Sequence, residues 1–175
     1  MKESIVIRGR TWVIKDASGH FIDNIDTDQI YHNKHLAVTD IEQMGKFAFG
    51  NLEGWEDFPS RVRSGDLLIV GRNFGSGSSR QQAVDCFRAL GISAIVGISF
   101  GAIYYRNAVN SGFPVLVAPE LTEKMIETGE VIEVDLITGE MRNITRGLTL
   151  PKATGFSDVQ RRIWEAGGLL NLKTL

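Results

Sequence analysis

The segment Gly71-Arg72-Asn73-Phe74-Gly75-Ser76-Gly77-Ser78-Ser79-Arg80 brings two hydroxyls and a guanidinium together behind a run of glycines. Gly75 and Gly77 can let backbone N–H groups approach a ligand closely. Ser78 or Ser79 reads as a helix N-cap, with Gln81 or Gln82 completing a capping box. A helix start of that kind favours an anion, and the planar fork of arginine matches a carboxylate. Spacing removes three well-known loops. A P-loop requires a lysine, which residues 71–80 lack, and a dinucleotide fingerprint would want a glycine where Arg80 stands. Arg80 also breaks the last position of a hydrolase elbow, whose histidine should follow the serine, whereas His20, His32 and His35 all precede it. Spacing alone leaves two readings open: an anion-binding turn, or a tight structural turn with an exposed arginine.

Other residues with chemical potential are fewer. Asp26-Thr27-Asp28 opens a polar stretch, and Asp26 reads equally well as an Asx-type turn. The three histidines have no metal-ligand spacing and read as polar loop residues. Cys86 is the only cysteine, too few thiolates to hold an iron–sulfur cluster, so any metal chemistry must come from another chain. It falls within an apolar helical stripe and reads as a small buried hydrophobe. Tyr104, Tyr105, Arg106 and Asn107, at helical spacing, read first as core packing, and the glutamates between Glu120 and Glu133 as a solvated face.

Short elements must position these groups. Ile5–Ile7 and Thr11–Ile14 read as two short strands, followed by a turn at Asp16-Ala17-Ser18-Gly19. Thr39 or Asp40 caps a helix carrying Ile41, Met44, Phe47 and Ala48. Leu67–Val70, Ala94–Val96 and Val115–Val117 are unbroken apolar runs, as expected of strands covered on both faces. One helix between them carries Ala83, Val84, Phe87 and Leu90 ahead of Gly91; the other carries Ile103, Tyr104, Asn107 and Ala108 ahead of Gly112 and Pro114. Right-handed crossovers then predict a three-stranded parallel sheet. Val131–Ile137, a turn at Thr138-Gly139, and Glu140–Ile144 read as an antiparallel hairpin. Phe156-Ser157-Asp158 opens a last helix with Val159, Ile163 and Trp164, ended by Gly167-Gly168.

The 175 residues, 43% hydrophobic and 23% charged, fit one globular domain spanning 1–175. Lys and Arg number 19 against 21 Asp and Glu, with no basic stripe, which disfavours a nucleic-acid partner. The N-terminal residues carry charge on both sides of Ile5-Val6-Ile7, unlike a signal peptide or a membrane span, so a cytoplasmic protein with no membrane partner is expected.

Three stretches in order, Asn24-Ile25-Asp26-Thr27-Asp28-Gln29-Ile30, the segment Gly71 to Arg80, and Ser99-Phe100-Gly101-Ala102-Ile103-Tyr104-Tyr105-Arg106-Asn107-Ala108, resemble the small-subunit family of 3-isopropylmalate dehydratase, itself similar to the swivelling domain of aconitase. The resemblance runs from about Gly9 to Gly168, with departures at Ser76, often Cys in the family, and at Gln81-Gln82, often Glu-His. It implies an α/β fold: a three-layer β/β/α swivelling domain with a central parallel sheet and a smaller antiparallel sheet. It implies a hydro-lyase of leucine biosynthesis that interconverts 2-isopropylmalate and 3-isopropylmalate by dehydration and rehydration. Such an enzyme is active only with a large subunit, which carries the [4Fe–4S] cluster whose open iron takes the leaving hydroxyl; this chain would bind no metal. By the same resemblance Ser78 is the general base and Arg80 holds a substrate carboxylate. Ser79 and Asp28 join them at the substrate.

The resemblance further implies that specificity is set in the loop from Gln29 to Val38, through Lys34, His35, Leu36 and Ala37. Relatives that take an extra carboxylate tend to place an arginine there; His35-Leu36-Ala37-Val38 has none. An alkyl arm needs only apolar surface, which favours isopropylmalate, although the long stem of Lys34 could bring a charge into the same space. The alternatives are the small subunit of homoaconitase or of another aconitase-type hydro-lyase such as dimethylmalate dehydratase, a non-catalytic anion-binding module, or a structural partner whose loop has drifted. Closing the site to water against the large subunit is expected to use Leu36, Phe49 and Trp55. Whether the isolated chain forms a homo-oligomer stays open.

Overall fold

Two kinds of strand pairing meet on one long strand, β1 (Val6–Val13), and this junction organises the molecule. In the computed structural model, which describes residues 3–173, Val6 to Arg10 pair antiparallel with β5 (Val131–Asp135), while Thr11 to Val13 pair parallel with β2 (Leu67–Val70). Met1, Lys2, Thr174 and Leu175, part of the span assigned to one domain, lie outside the described residues. The expected pair of short strands is therefore a single strand. Arg8-Gly9-Arg10 looks like a break in the sequence, yet the missing Cβ of Gly9 is what lets the Gly65 carbonyl approach the continuing strand.

Along the chain, β1 is followed by three four-residue helices, α1 (Thr27–Ile30), α2 (Ile41–Met44) and α3 (Phe58–Arg61). Asp40, not Thr39, caps α2, accepting from the Glu42 N–H. After β2 come α4 (Gln82–Ala89), β3 (Ala94–Gly97), α5 (Ala102–Asn110) and β4 (Val115–Val117). Then β5 is followed by β6 (Met141–Asn143), β7 (Leu148–Leu150) and α6 (Asp158–Ala166). The strand order is β4-β3-β2-β1-β5-β6-β7. The parallel part thus gains β1 as a fourth strand, and the antiparallel part extends past the expected hairpin to β7.

Side chains alternate across the parallel strands, so β2 feeds two cores. Leu68 and Val70 join Trp12, Phe49, Phe58, Phe87 and Tyr104 beneath the helices. Leu67 and Ile69 join Ile132, Val134, Met141 and Leu150 of the antiparallel part. Helices, parallel strands and curled-over antiparallel strands form the three layers expected. Helix α6 has the capping box of Ser157 and Gln160 and a left-handed Gly167 at its end, and it buries Ile163. Val159 stays exposed, as does Ile103 on α5; an apolar spacing in a short helix does not commit every member to the core.

Phe49 is fully buried among Phe58, Phe74 and Phe87. It is therefore a core residue and not the partner-facing one expected from its loop position. Trp55 is partly buried and donates to the Lys15 carbonyl, whereas Leu36 is 40% exposed. Cys86 is fully buried, as its stripe predicts. The glutamate stretch is more structured than a solvated face: Glu130 accepts from Arg146 Nε at 2.6 Å, from Asn143 Nδ2 at 2.8 Å and from the Glu127 N–H at 2.9 Å.

Candidate active site

Residues 71–81 leave the carboxyl end of β2, the side of an open parallel sheet where ligands bind. The loop is sewn between two neighbouring segments. Ser76 bridges to Asp26 and Phe74 to Phe100. The Gly75 N–H donates to the Ile25 carbonyl at 2.7 Å, Thr27 N–H to Ser76 at 2.9 Å, and Gly101 N–H to Phe74 at 2.9 Å. All three motif stretches therefore converge here. Gly75, expected to admit a ligand, instead admits the Tyr104 ring: its φ is +79°, and a Cβ would run into that ring. Gly77, at φ +94°, lies exposed with room around it.

Arg80 is the best-anchored polar group of the loop. Its Nη1 donates to Asp28 Oδ1 at 3.0 Å and to the Tyr31 carbonyl at 2.7 Å. Its side chain is 13% exposed. Among the described residues, its Nε and Nη2 have no acceptor, so one edge of the fork is held and the other is left for a ligand. Asp28 is itself braced. The Asn33 N–H donates to Oδ1 at 2.9 Å and Asn51 Nδ2 to Oδ2 at 3.1 Å. The Asn33 N–H first, and Arg80 second, hold the Asp28 carboxyl below the usual carboxylate range, so it stays ionised opposite the guanidinium. Asp26 caps α1 in a capping box with Gln29, and Thr27 donates its hydroxyl to the Ser78 carbonyl at 2.9 Å. Of the Asp-Thr-Asp stretch, Asp28 reaches the arginine and Asp26 serves the backbone.

The serines do not cap α4 as expected. Its N-cap is Gln81, with no side-chain cap bond, because Ser78 and Ser79 lie too far upstream to reach the first helical N–H groups. Both are exposed. Ser79 Oγ accepts from Asn107 Nδ2 of α5 at 3.0 Å. Among the described residues the Ser78 hydroxyl makes no hydrogen bond, so it is available to a ligand.

The loop after α1 forms a 3-10 turn over Asn33–His35, capped by the His32 ring. His35 stacks on Phe47, with ring centroids 3.7 Å apart, and its carbonyl accepts from the Tyr31 hydroxyl at 3.0 Å. Burial, then the charges of Lys34, His32 and Lys46, push the His35 pKa down, leaving a neutral ring at pH 7. Lys34 and Ala37 are exposed, and the Lys34 ammonium has no partner among the described residues. Sequence reasoning missed the braces: Asn51 and Asn33 on Asp28, the Tyr31 carbonyl on Arg80, and Asn107 on Ser79. Asn107 lies within the motif stretch Ser99 to Ala108; nothing in the sequence singles out Asn51.

Residues 17–120 match the aconitase C-terminal domain family. The small subunit 1 of 3-isopropylmalate dehydratase from Methanopyrus kandleri is 44% identical over 168 residues, covering 95% of this chain and 92% of that protein. A homoaconitase small subunit from Methanothermobacter thermautotrophicus is 38% identical, covering 97% and 93%. A crystal structure of 3-isopropylmalate dehydratase from Methanocaldococcus jannaschii superposes with a TM-score of 0.83 at 34% identity, covering 96% of this chain and 93% of that one. With its loop, its Asp28–Arg80 pair and its layered sheet in the same chain, the protein belongs to the aconitase C-terminal domain family, among the small subunits of the 3-isopropylmalate dehydratase type.

Proposed function

We propose that the chain is the small subunit of a 3-isopropylmalate dehydratase, a hydro-lyase that interconverts 2-isopropylmalate and 3-isopropylmalate, and that it supplies a base and a carboxylate clamp to a site completed by a large subunit. The observation that carries this reading is Arg80, fixed through Nη1 by Asp28 and Tyr31 while its other edge has no acceptor among the described residues, and two exposed serines precede it in the chain. A guanidinium held in that way is preorganised for bidentate contact with a substrate carboxylate. Ser79 adds a hydroxyl to the same anion.

Ser78 takes the carbon-bound proton. A serine hydroxyl is a weak base, and its alkoxide, which takes the proton and returns to the hydroxyl, needs positive potential nearby; the Arg80 guanidinium, two residues on, supplies it. The one thiol of the chain, Cys86, is fully buried, so its residues do not fit an iron–sulfur cluster. The reading places the [4Fe–4S] cluster on the large subunit, where it contributes Lewis acidity when bound. One domain over 1–175 and a cytoplasmic location go with the reading. The described residues contain no helix long and apolar enough to cross a membrane.

Leu36 and Ala37, exposed beside a neutral His35, suit an isopropyl arm better than a carboxylate. A second reading, a homoaconitase small subunit, draws on the Lys34 ammonium, which has no partner among the described residues, and on the homoaconitase relative. The test is anaerobic co-expression with a large subunit that bears three cluster-ligating cysteines, followed by a screen of 2-hydroxy di- and tricarboxylic acids. Capture of that subunit with a preference for isopropylmalate is expected. Failure to capture it overturns the half-site reading, and a preference for homoaconitate selects the second.

A further inference from the structure

Asn107 was expected to be core packing, yet its amide reaches the loop. Its Nδ2 donates to Ser79 Oγ at 3.0 Å, and its carbonyl accepts from Ser111 Oγ at 2.7 Å. Ser111 Oγ in turn accepts from Gln81 Nε2 at 2.7 Å, and the same Nε2 also reaches Asp85 Oδ1 at 3.2 Å. The end of α5 therefore grips residues on both sides of Arg80: Ser79 through Asn107, and Gln81 through Ser111. The polarity of the first bond has a chemical consequence. A hydroxyl has one proton and two lone pairs, so a serine whose oxygen accepts from an amide retains its O–H for donation. Ser79 is exposed and adjoins Arg80 in the chain, so its O–H is left to donate to an acceptor-only ligand such as a carboxylate.

We infer that Asn107 is a positioning residue that holds Ser79 as a hydrogen-bond donor to a substrate carboxylate, with the Gln81–Ser111 bond as its counterpart on the other side of Arg80. This rests on the hydro-lyase reading above and adds the group that orients its second hydroxyl. An amide at this position acts on binding, since the O–H it orients meets an anion present in substrate and transition state alike; uniform binding of this kind changes KM and leaves kcat.

The experiment is a double-mutant cycle on the anaerobically assembled complex, with Asn107→Leu, Ser79→Ala and the double variant, and with 3-isopropylmalate as the probe. Asn107→Leu keeps the shape and removes the amide donor and acceptor, and circular dichroism melts check that each variant is folded. The expected result is a KM raised about tenfold by Asn107→Leu, on the scale of one charge-assisted hydrogen bond at 1.4 kcal/mol per decade, with kcat within about twofold. In the Ser79→Ala background the same change should have no further effect. An unchanged KM, a fall in kcat alone, or an equal effect with and without the Ser79 hydroxyl would overturn the inference while leaving the hydro-lyase reading intact. If Asn107→Leu fails to fold, Ser79→Ala alone decides: its KM must rise about as much, and a wild-type KM overturns the inference. A wild-type complex that turns over none of the 2-hydroxy acids removes the underlying reading and this inference with it.

Discussion

Replacing Arg80 with lysine keeps the charge and removes the fork, and the structure says what that costs. Arginine serves two masters at once: Nη1 holds Asp28 and the Tyr31 carbonyl, while Nε and Nη2 have no acceptor among the described residues. A lysine has a single ammonium, which must choose between the brace and the ligand. If it keeps Asp28, the substrate carboxylate loses both parallel bonds; if it turns to the substrate, Asp28 and Tyr31 lose theirs and the head group is no longer fixed. Losing a hydrogen bond to a charged group is worth about 1.5–3 kcal/mol. At 1.4 kcal/mol per decade, kcat/KM should fall about 10- to 150-fold. The assay is initial-rate kinetics of the assembled complex with isopropylmalate, wild type against Arg80→Lys, with melting curves as the control for folding. Wild-type kcat and KM in the lysine variant would show that Arg80 only braces Asp28 and the Tyr31 carbonyl and takes no substrate carboxylate.

Other expectations follow from the same contacts. Asp66 accepts from Trp12 Nε1 at 2.8 Å, Arg10 Nη2 at 2.7 Å and the Arg63 N–H at 2.8 Å. Asp66→Ala should therefore destabilise by about 3 kcal/mol, the low end for breaking a buried pair because Arg10 stays partly in water, read as a lower midpoint at constant slope in urea. The Asp28 carboxyl sits below its unfolded value, so its contribution is present above about pH 4 and is lost as pH falls through the folded pKa. With its side chain 39% exposed that contribution is at most about 1 kcal/mol, and the melting-temperature gap between wild type and Asp28→Asn should close on acidification. The unmodified complex should prefer isopropylmalate over homoaconitate by at least about 30-fold, from the cost of leaving a charge unpaired, and Ala37→Arg should narrow or reverse that ratio in competition assays.

Much of the fold is legible in the sequence because buried strands write themselves as unbroken apolar runs. Leu67–Val70 and Ala94–Gly97 are apolar and buried at every position. The antiparallel edge is harder. In β7 only Leu150 is buried, so Leu148–Leu150 carries no alternation long enough to read. β1 was hidden by Gly9, which looks like a terminator and is in fact the site of a close backbone approach. At the site, residue types and loop position could be read, and the structure pairs Arg80 with Asp28. Their partners could not: Asp28 and Arg80 are 52 positions apart, and Asn107 and Ser79 are 28. Side-chain pairings across such separations are set by the fold, and local spacing has no term for them. Phe49 shows the converse, a loop aromatic that the fold takes into its core.

The central claim is that Ser78 takes the carbon-bound proton in a site shared with a large subunit, and its most direct test is the turnover of Ser78→Ala in the anaerobically reconstituted complex. The Ser78 side chain is exposed and makes no hydrogen bond among the described residues, so the variant should fold, melt and capture the partner as the wild type does. With the base gone, kcat for isopropylmalate should fall by at least about 100-fold, the scale of general-base catalysis. Near-normal turnover by a folded, partner-bound Ser78→Ala would contradict the account and remove Ser78 from the mechanism.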